Sequence, residues 1–133
     1  MLFPAREEQQ DMLRILLAED DANHATLARL TLEDEGHRIT AVTDGKQALD
    51  AVIHESYDLV VLDMRLPKLD GREFIGRVRA AGAPISRIPI VVVTGYGVRQ
   101  YIDFFKDFDV KHYLAKPYDC DELASIIRGY DAH

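Results

Sequence analysis

The chain has no tryptophan, a single cysteine and no apolar run approaching the ~18 residues that a membrane-spanning helix needs. Cys120 alone cannot close an internal disulfide; it reads as a small, partly buried thiol and fits a reducing compartment. Positive charge is scarce too: 16 Lys and Arg stand against 23 Asp and Glu, a net charge of −7. That balance is unsuited to coating nucleic acid phosphate, and no Lys/Arg cluster of the needed size interrupts it. Met1 to Leu13 is rich in Glu and Gln and lacks an apolar h-region, so it is not a secretory signal. These absences lead to the expectation of a soluble, cytoplasmic protein that binds neither nucleic acid nor membrane. What is present suits one domain: 133 residues, 47% hydrophobic, enough for a single packed core.

Strand-like and helix-like segments alternate. Arg14–Ala18 reads as a first strand, and 23–35 as a helix with Leu27, Leu30 and the Ala28/Leu32 pair at helical spacing, closed by Gly36. A second strand follows over 37–43, then an Asp44-Gly45 turn and a helix over 46–54 with Ala48, Leu49, Val52 and Ile53 inward. Leu59–Leu62 is the apolar central strand, and 72–81 the third helix, closed by Gly82-Ala83-Pro84. After Pro89 comes a fourth strand, then a fourth helix over 98–108 and a fifth strand over 111–115. The last helix starts near Asp119, a good N-cap, with Glu122 completing a capping-box pattern. Five βα units with short loops predict an α/β fold: a parallel sheet with helices on both faces.

The chemistry gathers at the strand ends. In an open parallel sheet, ligands bind at the carboxyl ends of the strands. Ile15-Leu16-Leu17-Ala18 ends in Glu19-Asp20-Asp21, and Leu59–Leu62 ends in Asp63, before a loop marked by Leu66-Pro67 and Asp70-Gly71. Ile90–Val93 ends in Thr94-Gly95, and Tyr113-Leu114-Ala115 in Lys116-Pro117. A carboxylate placed like Asp63 can bind metal, act as a nucleophile, or do both. Each motif alone also has a plain reading: a helix N-terminal acid cluster, a turn acid, a strand-end threonine, a solvated lysine.

Acid pair, acid, hydroxyl and amine, in that order and spacing, resemble the receiver domain of two-component response regulators over roughly residues 14 to 130. The resemblance implies a three-layer, flavodoxin-like (βα)5 fold whose five-stranded parallel sheet has the order 2-1-3-4-5. Residues 1–13 would then be an N-terminal extension, a short helix or disordered, and 131–133 a C-terminal tail, leaving a stand-alone, single-domain protein. It also implies that Asp63 accepts a phosphoryl group from a phosphohistidine on a sensor histidine kinase or a histidine phosphotransfer protein. Asp20 and Asp63 would bind Mg²⁺ directly, Glu19 mostly through water, and the Arg65 backbone carbonyl would complete the protein ligands. Three close carboxylates repel one another, and oxygen-only ligands suit Mg²⁺, with Ca²⁺ or Mn²⁺ able to compete. Thr94 would donate to a phosphoryl oxygen and Lys116 would supply a compact ammonium. Thr94 and Tyr113 would form the switch, changing the helix 4/strand 5/helix 5 surface for a downstream protein target. The chain would thus be a signalling module rather than an enzyme acting on a separate substrate.

Several positions depart from the family. Arg65 and Tyr96, two past Asp63 and Thr94, are bulky and poor at orienting the water that removes the phosphoryl group. Asp109-Val110 replaces a frequent Gly-Ala, which leaves open how the fourth helix ends. Tyr101, Phe104, Phe105 and Phe108 share one helical face, read as a core stripe, with a partner-binding or homodimer surface as the alternative. Two other functions fit these residues less well. An aspartate-nucleophile phosphohydrolase of the haloacid-dehalogenase type needs a second Asp at position 65, where Arg stands. A degenerate, scaffold-only receiver would not need the intact set Glu19, Asp20, Asp63, Thr94 and Lys116.

Overall fold

The computed structural model describes residues 12–95 and 98–130. Expectations for residues 1–11, for Tyr96 and for 131–133 lie outside the described residues. Five parallel strands, β1 (Arg14–Ala18), β2 (Arg38–Val42), β3 (Leu59–Asp63), β4 (Ile90–Thr94) and β5 (His112–Ala115), pair in the order β2-β1-β3-β4-β5. The connecting helices are α1 (Ala22–Asp34), α2 (Gly45–His54), α3 (Gly71–Arg79), α4 (Ile102–Asp107) and α5 (Cys120–Arg128). Short 3₁₀ turns at Ile85–Arg87 and Val98–Tyr101 precede β4 and α4.

Side-chain alternation splits the core into two layers. Leu16, Val60, Leu62, Ile90 and Val92 face α2, α3 and α4, meeting Ala48, Val52, Phe74, Ile75, Val78 and Phe105. Ile15, Leu17, Leu59, Val61, Val91 and Val93 face α1 and α5, meeting Ala28, Leu32, Leu123, Ala124 and Ile127. Every residue of β3 is buried, because this strand is covered on both faces and flanked on both edges.

Much of the acidic excess has a local structural use. Asp21, Asp44, Asp70 and Asp119 are the N-caps of α1, α2, α3 and α5, each accepting from a backbone N–H of the first turn at 2.8 to 3.1 Å. The Asp119–Glu122 capping box forms as expected. Each cap fixes where the chain leaves a strand end and enters a helix, and so fixes the loops that carry the functional groups.

Two expectations need correction. Ile53, expected inward, is 48% exposed; Leu27 and Leu30, which share the helical spacing of Ala28 and Leu32, are exposed as well. In α1 and α2 the sheet touches a narrow seam of i, i+4 pairs, Ala28/Leu32 and Ala48/Val52. Neighbours about 100° away around the helix, such as Ile53, fall outside that seam. The fourth helix is also shorter than 98–108: a 3₁₀ turn comes first, and no side chain caps the α-helical part at Tyr101. The aromatic stripe follows the core reading. Phe105 is fully buried, while Tyr101, Phe104 and Phe108 pack half-buried against the same layer.

Asp109-Val110 closes α4 by ordinary means. Asp109 takes a left-handed conformation (φ 59°), its N–H reaches Lys106 O at 3.4 Å, and Val110 N–H reaches Phe105 O at 2.8 Å. This is the paired closure usually built with glycine, with buried Val110 in the same apolar layer as Phe105. Asp109→Gly should relieve the left-handed strain and raise stability by up to about 1 kcal/mol in urea unfolding; a drop would show that the Asp side chain has a use of its own here.

Arg79, at the end of α3, joins this corner to the turn before β4. Its guanidinium donates to Phe108 O and Ile88 O at 2.7 Å, Ser86 O at 3.2 Å and Asp109 O at 3.3 Å. A lysine cannot reproduce that planar fork. Arg79→Lys should therefore lower stability by about 2 kcal/mol in urea unfolding, through half-buried carbonyls left unpaired; an unchanged midpoint would mean that water replaces the fork freely.

Candidate functional site

Sheet register brings the reactive side chains together. Ala18 pairs with Leu62, so the next residues, Glu19 and Asp63, emerge side by side. Asp63 pairs with Val93 and Thr94 with Ala115, so Thr94 and Lys116 follow on adjacent strands. The Lys116 N–H donates to Thr94 O at 2.7 Å and locks that edge. Glu19, Asp63 and Thr94 are buried, while Asp20 is exposed at the rim.

One ammonium serves two carboxylates. Lys116 Nζ donates to Asp63 Oδ2 at 2.8 Å and to Glu19 Oε2 at 3.1 Å, and lies 2.9 Å from Glu19 Oε1. The last approach is close in charge but not directed as a hydrogen bond, so Oε1 is a buried oxygen without a hydrogen-bond partner. Backbone amides take further oxygens: Asp21 N–H donates to Glu19 Oε2 at 3.1 Å and Arg65 N–H to Asp63 Oδ1 at 2.9 Å. Burial pushes the Glu19 carboxyl up; the Lys116 bond pulls down and the Asp63 charge adds to the rise. For Lys116 burial works against the charge, but its bonds to Asp63 and Glu19 overcome this and hold the amine above its ordinary value. The neighbouring Tyr118 phenol, buried close to these charges, is pushed up to about 12.

Glu19, Asp20 and Asp63 each offer an oxygen within 4.8 Å of the others. Three hard oxygen donors around an unpartnered buried Glu19 oxygen fit a small divalent cation of the Mg²⁺ type. The loop after Asp63 is held rigidly beneath them. Gly71 N–H donates to Met64 O at 2.9 Å and Gly45 N–H to Pro67 O at 3.1 Å. A Cβ on Gly71 would collide with Met64, and one on Gly45 with the Leu69 carbonyl, so both close approaches require glycine.

The structure thus gathers Glu19, Asp20, Asp63, Thr94 and Lys116 at one end of the sheet. Arg65 contributes its amide, and its side chain is exposed. Tyr113 stands apart on β5, 40% exposed, its ring stacked on Phe105 at 5.3 Å. Phe105 in turn stacks on Tyr101 at 5.7 Å. Tyr101 was missed as a site residue: helical spacing marks it as core, yet it lines an open crevice with Asp20 and Arg65. Spacing along the helix does not reveal this second surface, because it depends on how the ring packs against the apolar layer of the sheet.

Comparison with known proteins agrees with this geometry. The family model described as the response regulator receiver domain matches residues 15–128. Sporulation initiation phosphotransferase F of Bacillus subtilis (strain 168) is 32% identical over 117 residues, covering 88% of this chain and 92% of that protein. The response regulator ArlR of Staphylococcus saprophyticus is 32% identical over 118 residues, 89% of this chain but 52% of that protein, so this chain spans about half of ArlR. Among solved structures, the receiver domain of a Pseudomonas aeruginosa PAO1 sensor histidine kinase is 31% identical with a TM-score of 0.80, covering 91% of this chain and 98% of that one. That structure has a magnesium ion coordinated in its active site cleft. The receiver domain of a Francisella response regulator is 27% identical with a TM-score of 0.81, covering 90% and 96% of the two chains.

Removing the shared ammonium should expose the repulsion it neutralises. Lys116→Met is expected to destabilise the metal-free protein by about 2 kcal/mol or more at neutral pH, because Asp63 and Glu19 stay buried without a counter-charge. Added Mg²⁺ should raise the melting temperature of the variant more than that of the parent. Equal shifts would mean that metal and ammonium do not answer the same charges.

Proposed function

The chain belongs to the response regulator receiver domain family of two-component systems, and we propose that Asp63 is its phosphoacceptor. As a receiver domain it takes part in phosphorylation-dependent signalling. The observation that carries the Asp63 assignment is the carboxylate at the end of β3, 2.8 Å from the Lys116 ammonium and flanked by Glu19 and Asp20.

An Asp63 oxygen attacks the phosphorus of a phosphohistidine presented by a sensor histidine kinase or a histidine phosphotransfer protein, and the P–N bond breaks with its electron pair left on the departing imidazole nitrogen. Lys116 then turns from neutralising Asp63 to neutralising the phosphoryl oxygens, and the Thr94 hydroxyl donates to one of them. Glu19, Asp20, Asp63 and the Arg65 carbonyl would hold Mg²⁺, which when bound offsets the charge of acids and phosphoryl oxygens together. The similarity to a receiver domain with magnesium in its cleft supports magnesium as the ion. The chain acts as a signalling module, with its phosphoryl transfer confined to its own aspartate.

The output would run through Thr94 and Tyr113. If Thr94 moves toward the phosphoryl group, Tyr113 can leave its stack on Phe105 and change the α4-β5-α5 surface read by a downstream protein. A homodimer through that face is a further outcome of the same switch. We assign residues 14–130 as the receiver unit and 1–13 as an extension. The compartment we assign is the cytoplasm; among the described residues no helix is long and apolar enough to cross a membrane.

Asp63→Asn keeps the shape of the side chain but is a far poorer nucleophile. It should abolish labelling by acetyl phosphate with Mg²⁺; a variant that labels like the parent rules Asp63 out as the acceptor. The exposed Arg65 side chain flanks the acceptor and supports a second prediction. Arg65→Asn should leave labelling intact and speed loss of the phosphoryl group about tenfold, ~1.4 kcal/mol in the barrier. Decay of the labelled protein measures this, and an unchanged rate would show that Arg65 does not shield the group.

A further inference from the structure

We propose that the groove at the amino ends of β3 and β4 is the docking site of the chain's own residues Met1–Ala5, with Glu7 and Glu8 answering Arg87 at its border. This inference does not depend on the phosphoacceptor reading. Asp58 and Pro89, which immediately precede β3 and β4, line the groove, whereas Asp63 closes β3. The groove therefore lies at the opposite end of the sheet from the acids. Its volume is about 470 Å³, in the range of cavities that bury a ligand. Ile53 and Tyr57, from the end of α2 and the loop into β3, line one part of it. Pro84, Ile85 and Pro89, from the turn before β4, line another. Ile53 is 48% exposed, so this is apolar surface that the sheet does not cover.

Position, length and charge select this occupant. Arg14, the first residue of β1, is bound to the groove's border. Its N–H donates to Asp58 Oδ2 and the Asp58 N–H donates to Arg14 O, both at 2.8 Å. Its guanidinium carbon lies 5.4 Å from the centroid of the Tyr57 ring. The chain that precedes β1 therefore starts beside the groove. Residues 1–11 lie outside the described residues, but Phe3 precedes Met12 by nine positions, a reach of up to about 30 Å. Both acids of the lining are already engaged. Glu55 Oε1 lies 3.6 Å from the Arg14 guanidinium and accepts from the Tyr57 hydroxyl at 3.3 Å, and Asp58 holds the Arg14 N–H. Arg87 is exposed at the border and makes no ion pair among the described residues. The lining thus presents apolar surface beside a guanidinium that no acid of the groove neutralises. Met1-Leu2-Phe3-Pro4-Ala5 carries only apolar side chains, and Glu7-Glu8 follows within three positions. That order of apolar block and carboxylates complements the lining. A tethered segment also acts at a high effective concentration, so it docks through fewer contacts than a free peptide needs.

The test uses the whole chain with one nitroxide label, on Ala5→Cys in a Cys120→Ser background, and reads the broadening of backbone amide signals by NMR. Ile53, Ile85 and Ile88 should broaden strongly, and Leu66 and Gly71 at the far end of the sheet should not. Phe3→Asp should lower the docking equilibrium about 30-fold, the effect of losing one buried aromatic anchor, and restore the Ile85 and Ile88 signals. Arg87→Glu should lower it about fivefold, and Glu7→Lys with Glu8→Lys in that variant should bring the broadening back. Amide positions elsewhere in each spectrum report that the domain is folded. A parent without broadening at Ile85 and Ile88 would overturn the proposal. So would broadening that survives Phe3→Asp, since the tether alone then explains it. Charge exchange without effect would also overturn it, because the occupant's carboxylates would not be answering Arg87. Broadening of an isotope-labelled chain by a separate nitroxide-labelled chain would assign the groove to a second copy and overturn docking within one chain.

Discussion

The ammonium of Lys116 is the contact on which the rest of the site depends. Three carboxylates meet at the ends of two neighbouring strands, two of them buried, and nothing in sheet geometry alone compensates for their repulsion. Lys116 reaches both buried acids from β5, across the width of the sheet. Its backbone is fixed to Thr94 through the last rung of the β4–β5 ladder. Charge neutralisation in the resting protein therefore links β1, β3 and β5. Any group that brings charge of its own to Asp63 must renegotiate the same ammonium.

The surroundings divide into a fixed side and a softer one. The β3–α3 loop is tied by the Asp70 cap, by backbone bonds to Met64 and Pro67, and by two glycine contacts that leave no room for a side chain. Across the cleft, α4 has no side-chain cap, begins through a 3₁₀ turn and is only six residues long. It is held by packing: Tyr101, Phe105 and Tyr113 form one stacked row. Hydrogen bonds are lost abruptly with angle, whereas stacked rings slide at small cost. The change proposed at Thr94 would therefore be accommodated through α4 and β5 rather than through the loop that carries the acids.

Most of this was legible in the sequence because it rests on short-range rules. Apolar runs of three or four residues ending in Glu19, Asp63, Thr94 and Lys116 gave both the strands and their business end, since parallel strands all finish on the same side. Asp119 was legible as a cap, whereas Asp44 and Asp70 read as turn and loop residues and their capping role appears only in the structure. Helix inner faces were legible only in part: Ile53, Leu27 and Leu30 fit helical spacing, but how wide a stripe the sheet covers is a tertiary property. The end of α4 was obscured for another reason. Asp109 takes a conformation in which glycine is the usual choice, so the signal for a helix stop was absent although the stop itself is regular.

Tyr101 shows the limit of periodicity most clearly. One side chain satisfies two descriptions: it packs against the apolar layer under α4, and it borders the crevice beside the acids. Spacing along a helix distinguishes inside from outside, but the rim of a cleft is neither. A large ring at such a position can stabilise the helix and face a ligand with the same atoms, and the entropy of fixing it has already been lost on folding. The core contacts of Tyr101 are thus no argument against a role at the site.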